Sequence, residues 1–262
     1  YKNFKIPHHG EYAGKIIELD NEGEYLSTPL DFSITKNVTM MFVAAVILLI
    51  VFIRMGKYYQ KEENVVPRGL NGFLEPMIVF IRDEVARPNI QSSKYEQYMP
   101  YLLTVFFFIL LLNLMGLIPF FPFGANVTGN IAVTLVLASF TFLITQFSGN
   151  RSHWQHVFNT PGVPWWLKIP IPVLPMVEMI GLITKPFALM IRLFANITAG
   201  HIIVLSLVSM IFIFKSLGVA PVSVFFVLFM DIMEILVAFI QAYVFTLLSA
   251  LFIGLAVREH HE

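Results

Sequence analysis

The sequence predicts an all-α integral membrane protein with about five membrane-embedded helical stretches, most of them close to or beyond the length that crosses a bilayer, and an amphipathic surface helix. Hydrophobic residues make up 57% of its 262 residues and charged residues only 13%, whereas roughly a quarter of the residues in an average soluble domain are charged. The formal net charge is zero, which argues against nucleic acid as a partner. The chain has no cysteine, so disulfide bonds and thiolate metal sites are excluded.

Residues 1–37 are predicted to form a polar extramembrane N-terminal segment, and residues 38–262 a membrane domain. The segment mixes both charges with Gly10, Gly14 and Pro29, and it lacks the basic and then apolar layout of a signal peptide. We therefore expect a soluble tail with a short hairpin in front of the first membrane helix.

Val38–Ile53 is the first apolar run, and its length approaches the ~20 residues that a transmembrane helix requires. Four basic residues follow it: Arg54, Lys57, Lys61 and Arg68. Cytoplasmic loops carry an excess of lysine and arginine. The N-terminus is therefore expected outside, and the loop after this run in the cytoplasm or its equivalent.

Pro67–Pro88 is too charged to span a membrane, but its apolar residues recur at helical spacing. These apolar positions are Leu70, Phe73, Leu74, Met77, Ile78, Phe80, Ile81 and Val85. The pattern predicts an amphipathic helix at the membrane surface or against a partner. The simplest interpretation is a packed surface helix without a function of its own.

Pro100–Pro119 and Ile131–Phe147 are the second and third predicted spans. The uncharged, proline-rich turn between them is expected outside. Asn113 near the end of the second span is interpreted as a helix–helix contact, with a solute contact as the alternative. His153 and His156 have a metal-binding spacing but no further ligands nearby, so they are interpreted as interfacial, and no metal or cofactor is predicted.

Two long apolar runs, Pro175–Phe214 and Val222–Val257, complete the chain. Each is too long for one perpendicular span. Lys215, Gly218 and Pro221 interrupt them. The pattern therefore predicts a long, tilted helical hairpin, with the C-terminus on the cytoplasmic side.

An arginine lies in the middle of the first of these runs. Placing arginine at the centre of a bilayer costs at least about 2.5–3.5 kcal/mol on insertion scales, so Arg192 is a functional candidate. Glu178, Lys185 and Arg192 are seven residues apart and form one stripe along a helix. Asn196 lies one turn beyond Arg192, whereas His201 points to roughly the opposite side.

The second run carries its polar residues on one face. Glu234 and Gln241 are seven residues apart, and Asp231 lies one turn before Glu234. A hairpin that turns near Gly218 brings His201 and Glu234 to similar depths. Because imidazole titrates near pH 6.5 and burial raises a carboxyl pKa towards that value, the two are predicted to exchange protons.

Structural alternatives exist for several of these residues. Lys185 is also explained by a side chain that snorkels to the interface. Glu178 is also explained by an interfacial position, and Asp231 by stabilisation of the hairpin. The alternative for Arg192 is a structural ion pair.

Three segments together resemble subunit a of the F-type rotary ATP synthase. They are KPFALMIRLFANITAGH (Lys185–His201), EILVAFIQAYVF (Glu234–Phe245) and NLMGLIP (Asn113–Pro119), and the resemblance extends over nearly the whole chain from Thr35. It implies a stator subunit that forms two offset half-channels against a ring of c subunits. The RLFAN arginine, Arg192, would separate the half-channels and favour deprotonation of a passing ring carboxylate.

The resemblance also implies roles for other positions. Asn196 and Gln241 match polar positions near the family arginine, and Glu178 matches a carboxylate of the cytoplasmic half-channel. His201 and Glu234 match a proton-transfer pair of well-known bacterial members with the two residue types exchanged. Lys185, Asp231 and Asn113 are further candidates for the proton path, and no role is carried over to Gly116.

The implied partners are the c-subunit ring, the b subunits of the peripheral stalk, other ATP synthase subunits and membrane lipid. No catalytic ATP chemistry is expected in this chain, which would be a subunit of an H+-transporting two-sector ATPase. The bacterial plasma membrane is the expected location, with an organellar inner membrane as the alternative. The competing hypothesis is a proton-coupled secondary transporter that uses His201 and Glu234, although no internal repeat supports it.

Overall fold

The structure of the chain is a computed structural model. It describes residues 4–6, 17–19, 25–27, 34–60, 68–90, 94–118, 124, 126–150, 154, 173–215 and 218–257. The chain divides into two compact units, Tyr1–Thr39 and Met40–Glu262.

The N-terminal unit contains a small antiparallel sheet. Strand β1 (Phe4–Lys5) pairs with β2 (Ile17–Leu19), which pairs with β3 (Tyr25–Ser27). Glu18 lies opposite Phe4 on one side and Ser27 on the other, with a register shift between Glu18 and Leu19. The expected hairpin is thus extended by a third strand, and the all-α class applies to the membrane unit.

Five helices of the described chain are long and apolar enough to cross a membrane, as the sequence predicts. They are α1 (Lys36–Tyr59), α4 (Tyr95–Leu117), α5 (Ile131–Ser148), α6 (Val173–Phe214) and α7 (Ala220–Val257). Helices α1, α4, α6 and α7 begin before the predicted boundary, and in α4 and α6 the predicted start is a proline that the helix tolerates near its beginning. Pro175 lies in the first turn of α6, and Pro100 in the second turn of α4.

The predicted surface helix is present between α1 and α4. It consists of α2 (Leu70–Phe80), a π-helical segment (Ile81–Ala86) and a final turn, α3 (Arg87–Asn89). Ile81, Val85 and Ala86 are fully buried. The apolar stripe therefore packs against the core from Leu74 onward, whereas Leu70 and Phe73 at its start are 60% and 70% exposed.

Helix α4 forms the centre of the core, and a glycine on α7 allows close packing against the end of the surface helix. Leu102, Phe106 and Ile109 of α4 are fully buried. A Cβ atom at Gly254 of α7 would lie 1.9 Å from the backbone oxygen of Asn89, so only glycine fits this contact. Small residues serve the same purpose in membrane helix packing generally, because they let backbones approach.

The hairpin of α6 and α7 has defined ends. Lys215 adopts a φ of 47° directly after α6, the left-handed conformation that commonly terminates helices. At the other end of α7, Asn150 donates its side-chain amide to the Val257 oxygen at 2.7 Å, and its backbone N–H to the Ala256 oxygen at 3.1 Å. Carbonyls at the end of α7 thus find partners in the segment that follows α5.

Candidate functional site

Among the described residues, one side-chain hydrogen bond joins the two long helices. Asn196 Nδ2 of α6 donates to Gln241 Oε1 of α7 at 2.8 Å. Gln241 is only 2% exposed, because it lies on the buried face of α7 together with Ala238, Ala242 and Phe245. The bond fixes the register of the hairpin one turn from Arg192.

Arg192 lies on the outer face of α6. Its side chain is exposed, while its neighbours Leu189 and Leu193 are buried in the core. Within the described part of the chain, no hydrogen bond or ion pair involves its guanidinium. A permanent positive charge on the apolar outer face of a membrane helix therefore has no partner in its own described surroundings.

Lys185 departs from the uniform stripe that the spacing predicts. It is half-buried, and its Nζ lies 5.6 Å from the centre of the Phe252 ring on α7. An ammonium group within about 6 Å of an aromatic ring is stabilised by a cation–π interaction. Lys185 thus turns towards α7, whereas Arg192 faces away. The Glu178 side chain lies outside the described residues.

A cavity of about 320 Å³ lies between α6, α7 and the end of α4. It is large enough for several water molecules, each of which occupies about 30 Å³ in the liquid. Its polar lining comprises Asn113, Asn126, Thr128, Asn196, His201, Glu234 and Gln241. The structure therefore brings the predicted His201 and Glu234 to one cavity, together with both members of the hairpin hydrogen bond.

Glu234 packs directly against the backbone of α6 beside His201. A Cβ atom on Gly200 would lie 2.6 Å from Glu234 Oε1, so glycine leaves the space that the carboxylate occupies. This oxygen is buried and has no hydrogen-bond partner among the described residues. Because buried polar atoms are nearly always hydrogen-bonded, an acceptor beside a cavity of this size is suited to bind water or a proton.

Asn113 connects α4 to α7 at the same cavity. Its Nδ2 donates to the Ala238 oxygen at 3.3 Å, and its Oδ1 accepts from Thr128 Oγ1 at 2.8 Å. Asn113 is 3% exposed and Thr128 is 1% exposed. The residue thus makes a helix–helix contact and also lines the cavity.

The profile of the family described as ATP synthase A chain matches residues 38–254. A relative named ATP synthase subunit a from Chloroherpeton thalassium is 51% identical over 239 residues, which cover 88% of this chain and 69% of the relative. ATP synthase subunit a 2 of Prosthecochloris aestuarii is 52% identical over 240 residues, covering 88% and 71%. A further relative from Anaeromyxobacter sp. is 43% identical over 262 residues, covering 95% and 61%.

The chain belongs to the ATP synthase A chain family. This assignment confirms the resemblance carried by the RLFAN segment. The relatives are bacterial, and with the five apolar helices they identify a bacterial multi-pass membrane protein. As a subunit a, the chain is part of the ATP synthase complex.

Asn126, Thr128 and Gly200 of this subunit a site were not singled out from the sequence. Gly200 precedes His201, but a glycine within an apolar helix gives no sign of the carboxylate packed against it. Thr128 lies in a turn outside every predicted helix, so nothing in its surroundings indicates a contact with Asn113.

Other candidates remain apart from the cavity. Asp231 is exposed and makes no hydrogen bond or ion pair within the described ranges, so it does not stabilise the hairpin there. His153 and His156 lie outside the described residues.

Proposed function

We propose that this subunit a forms two offset half-channels against the c-ring of the ATP synthase, and that Arg192 separates them. Family membership makes the chain the proton-translocating subunit of the membrane sector. The observation that supports the specific role is the exposed Arg192 guanidinium, which has no partner among the described residues of its own chain. The charge is available to a carboxylate of another subunit.

The chemistry of arginine fits this role. Guanidinium does not release its proton at working pH, so it acts as a fixed charge and not as a relay. An opposite charge within about 4–6 Å lowers the pKa of a carboxyl group by about 1–3 units. The fixed charge of Arg192 would therefore favour ionisation of each ring carboxyl group as it approaches, with the proton leaving to water in the adjoining half-channel, and it would prevent protons from crossing directly between the half-channels.

The cavity beside His201 and Glu234 is suited to be the half-channel that opens to the outside. It is lined by the amide and hydroxyl groups of Asn113 and Thr128, next to the turn that the sequence predicts outside. Water in the cavity would carry protons between the imidazole and the carboxylate. Asn196, one turn from Arg192, and Gln241 border this cavity and would orient the water molecules through which the proton reaches the ring.

The other half-channel would open to the cytoplasm near Glu178 and Lys185. The proposed orientation places the N-terminus outside and the C-terminus in the cytoplasm, as the basic residues after α1 indicate. The c-ring and the b subunits of the peripheral stalk are the proposed partners. The chain itself would catalyse no ATP chemistry and would couple proton flow to rotation and ATP synthesis.

Arg192→Ala tests the proposal. We expect assembled complexes that no longer pump protons upon ATP hydrolysis in inverted membrane vesicles, with a raised passive proton permeability. Arg54→Ala is the matched control, because Arg54 is also exposed on a membrane helix but lies outside the site. Normal coupled pumping by Arg192→Ala would refute the proposal.

The proposed proton exchange between His201 and Glu234 is tested separately. Combining His201→Glu with Glu234→His should preserve more pumping than either His201→Ala or Glu234→Ala, because the exchange retains one imidazole and one carboxyl at the cavity. An equal loss in all three variants would argue against proton exchange between the two positions.

A further inference from the structure

A second large groove lies between α1, the end of the surface helix and the first turns of α4. Its volume is about 700 Å³, and it shares no lining residue with the cavity at His201 and Glu234. Nothing in the proposed proton path uses it. Its charged and apolar residues are separated along its length, which indicates the kind of molecule that fits.

The mouth of the groove carries two arginines that share one carboxylate. Arg82 donates to both Asp83 oxygens at 2.9 and 3.0 Å, and Arg87 donates to Asp83 Oδ1 at 2.8 Å. The hydrogen bonds from Arg82 lower the pKa of Asp83, so this carboxyl group stays ionised. The three side chains together carry one net positive charge.

Both guanidinium groups retain donors for a ligand. Arg87 also donates to the Tyr95 hydroxyl at 3.2 Å, and its guanidinium lies 5.3 Å from the centre of the Tyr95 ring. Each guanidinium has five N–H groups, and four of these ten are used by partners among the described residues. Arg82 and Arg87 are 41% and 51% exposed, so the remaining donors are accessible to an anionic group.

The same mouth contains a negative charge. Glu96 lines the groove, and Tyr95 links it to Arg87 because the hydroxyl that accepts from Arg87 also donates to Glu96 Oε1 at 3.3 Å. The mouth therefore contains a positive centre and a neighbouring negative centre, and the charges of the two centres sum to zero. A ligand that carries both a phosphate and an ammonium group complements this arrangement.

The deeper part of the groove is apolar. Met99 and Leu103 of α4 and Phe52 of α1 line it. Leu103 is seven residues further along α4 than Glu96, which corresponds to a depth of about 10 Å at 1.5 Å per residue. The groove thus changes from charged to apolar along a membrane helix, as a phospholipid does from its headgroup to its acyl chains.

We propose that this groove binds one phospholipid with a zwitterionic amino headgroup. The phosphate would accept from Arg82 and Arg87, and the ammonium group would face Glu96. One acyl chain would follow Met99 and Leu103 towards Phe52. The apolar wall favours a lipid over free phosphate, and the charge balance favours an ethanolamine headgroup over an anionic one.

Three variants of the intact ATP synthase complex test this proposal. Leu103→Trp fills the apolar part and leaves the charges in place. Leu135→Trp, at an exposed position on α5, is the matched control for an added tryptophan. Glu96→Gln removes the partner of the ammonium group. Bound phospholipid is measured by native mass spectrometry in detergent, with phosphatidylethanolamine or phosphatidylglycerol added.

We expect wild type and Leu135→Trp to retain one phosphatidylethanolamine, and Leu103→Trp to bind it at least about tenfold more weakly, because the indole occupies the space of the acyl chain. Glu96→Gln should shift the preference towards phosphatidylglycerol. Equal lipid retention by the two tryptophan variants would overturn the proposal, as would loss of another protein subunit from Leu103→Trp without loss of lipid. Arg192→Ala should retain the lipid, so this result is independent of the proposed proton path.

Discussion

Gly200→Ala tests whether the position of the Glu234 carboxylate matters for proton transport. The new Cβ atom would lie 2.6 Å from Glu234 Oε1, 3.1 Å from Cδ and 3.3 Å from Cγ. An ordinary contact begins near 3.4 Å, so the carboxylate must move by about 0.8 Å, which is 3.4 minus 2.6. It is the end of a flexible side chain beside a cavity, so we expect it to move without preventing folding.

The displacement has a modest energetic cost. Moving a side chain away from a preferred rotamer costs on the order of 0.5–1.5 kcal/mol. If this cost is added to the barrier for proton transfer, the rate falls about two- to twelvefold, because 1.36 kcal/mol corresponds to a factor of ten. Gly200→Ala complexes should therefore assemble normally and pump protons more slowly.

Gly181→Ala provides the matched control on the same helix. No atom lies within 4 Å of a Cβ at Gly181, while both substitutions raise the helix propensity by roughly 1 kcal/mol. The initial rate of ATP-driven acidification in inverted vesicles, normalised to the amount of complex, compares the two. Equal rates for Gly181→Ala and Gly200→Ala would refute the reasoning.

A second substitution locates the effect at Glu234. In a Glu234→Asp background the side chain is one methylene shorter, so the added methyl group at residue 200 has less to displace. Adding Gly200→Ala to Glu234→Asp should then lower the pumping rate little further. A double-mutant cycle detects this non-additivity. Additive losses would place the effect elsewhere.

Three further predictions follow from other contacts. Asn196→Ala and Gln241→Ala should each lower the thermal inactivation temperature of the complex, with a coupling of about 0.6–1.7 kcal/mol in a double-mutant cycle; zero coupling would contradict the 2.8 Å bond. Gly254→Ala should prevent stable assembly because its Cβ would lie 1.9 Å from a backbone oxygen, whereas Gly56→Ala has nothing within 4 Å and should assemble at wild-type levels. Thr128→Val should slow pumping without loss of complex on immunoblots, because the buried Asn113 amide loses a hydrogen bond.

The spans and the hairpin could be predicted because each depends on neighbours along the chain. Long apolar runs predicted α1, α4, α5, α6 and α7, and helical spacing of apolar residues predicted the surface helix. The turn between the last two helices set their approximate register. The cavity that both His201 and Glu234 line agrees with the expectation that these two residues lie at similar depths.

Contacts between helices could not be predicted in the same way. Spacing places Lys185 and Arg192 on one stripe, yet Lys185 contacts the Phe252 ring on α7 and Arg192 stays on the outer face. The direction of each long side chain depends on the groups that the neighbouring helix places at the same depth, such as the Phe252 ring beside Lys185. Periodicity within one helix does not contain that information.

The sequence by itself determined that this is a membrane protein of the ATP synthase A chain family, and that Arg192 is a charge with a high free-energy cost of insertion into the membrane. Composition, run length and the RLFAN motif are local properties, so no structure is needed to recognise them. Only the tertiary structure brought Glu234 against Gly200, Thr128 to Asn113, and the arginines of the surface helix beside Glu96. These groups lie on different helices or turns, and their distances follow from how those elements pack.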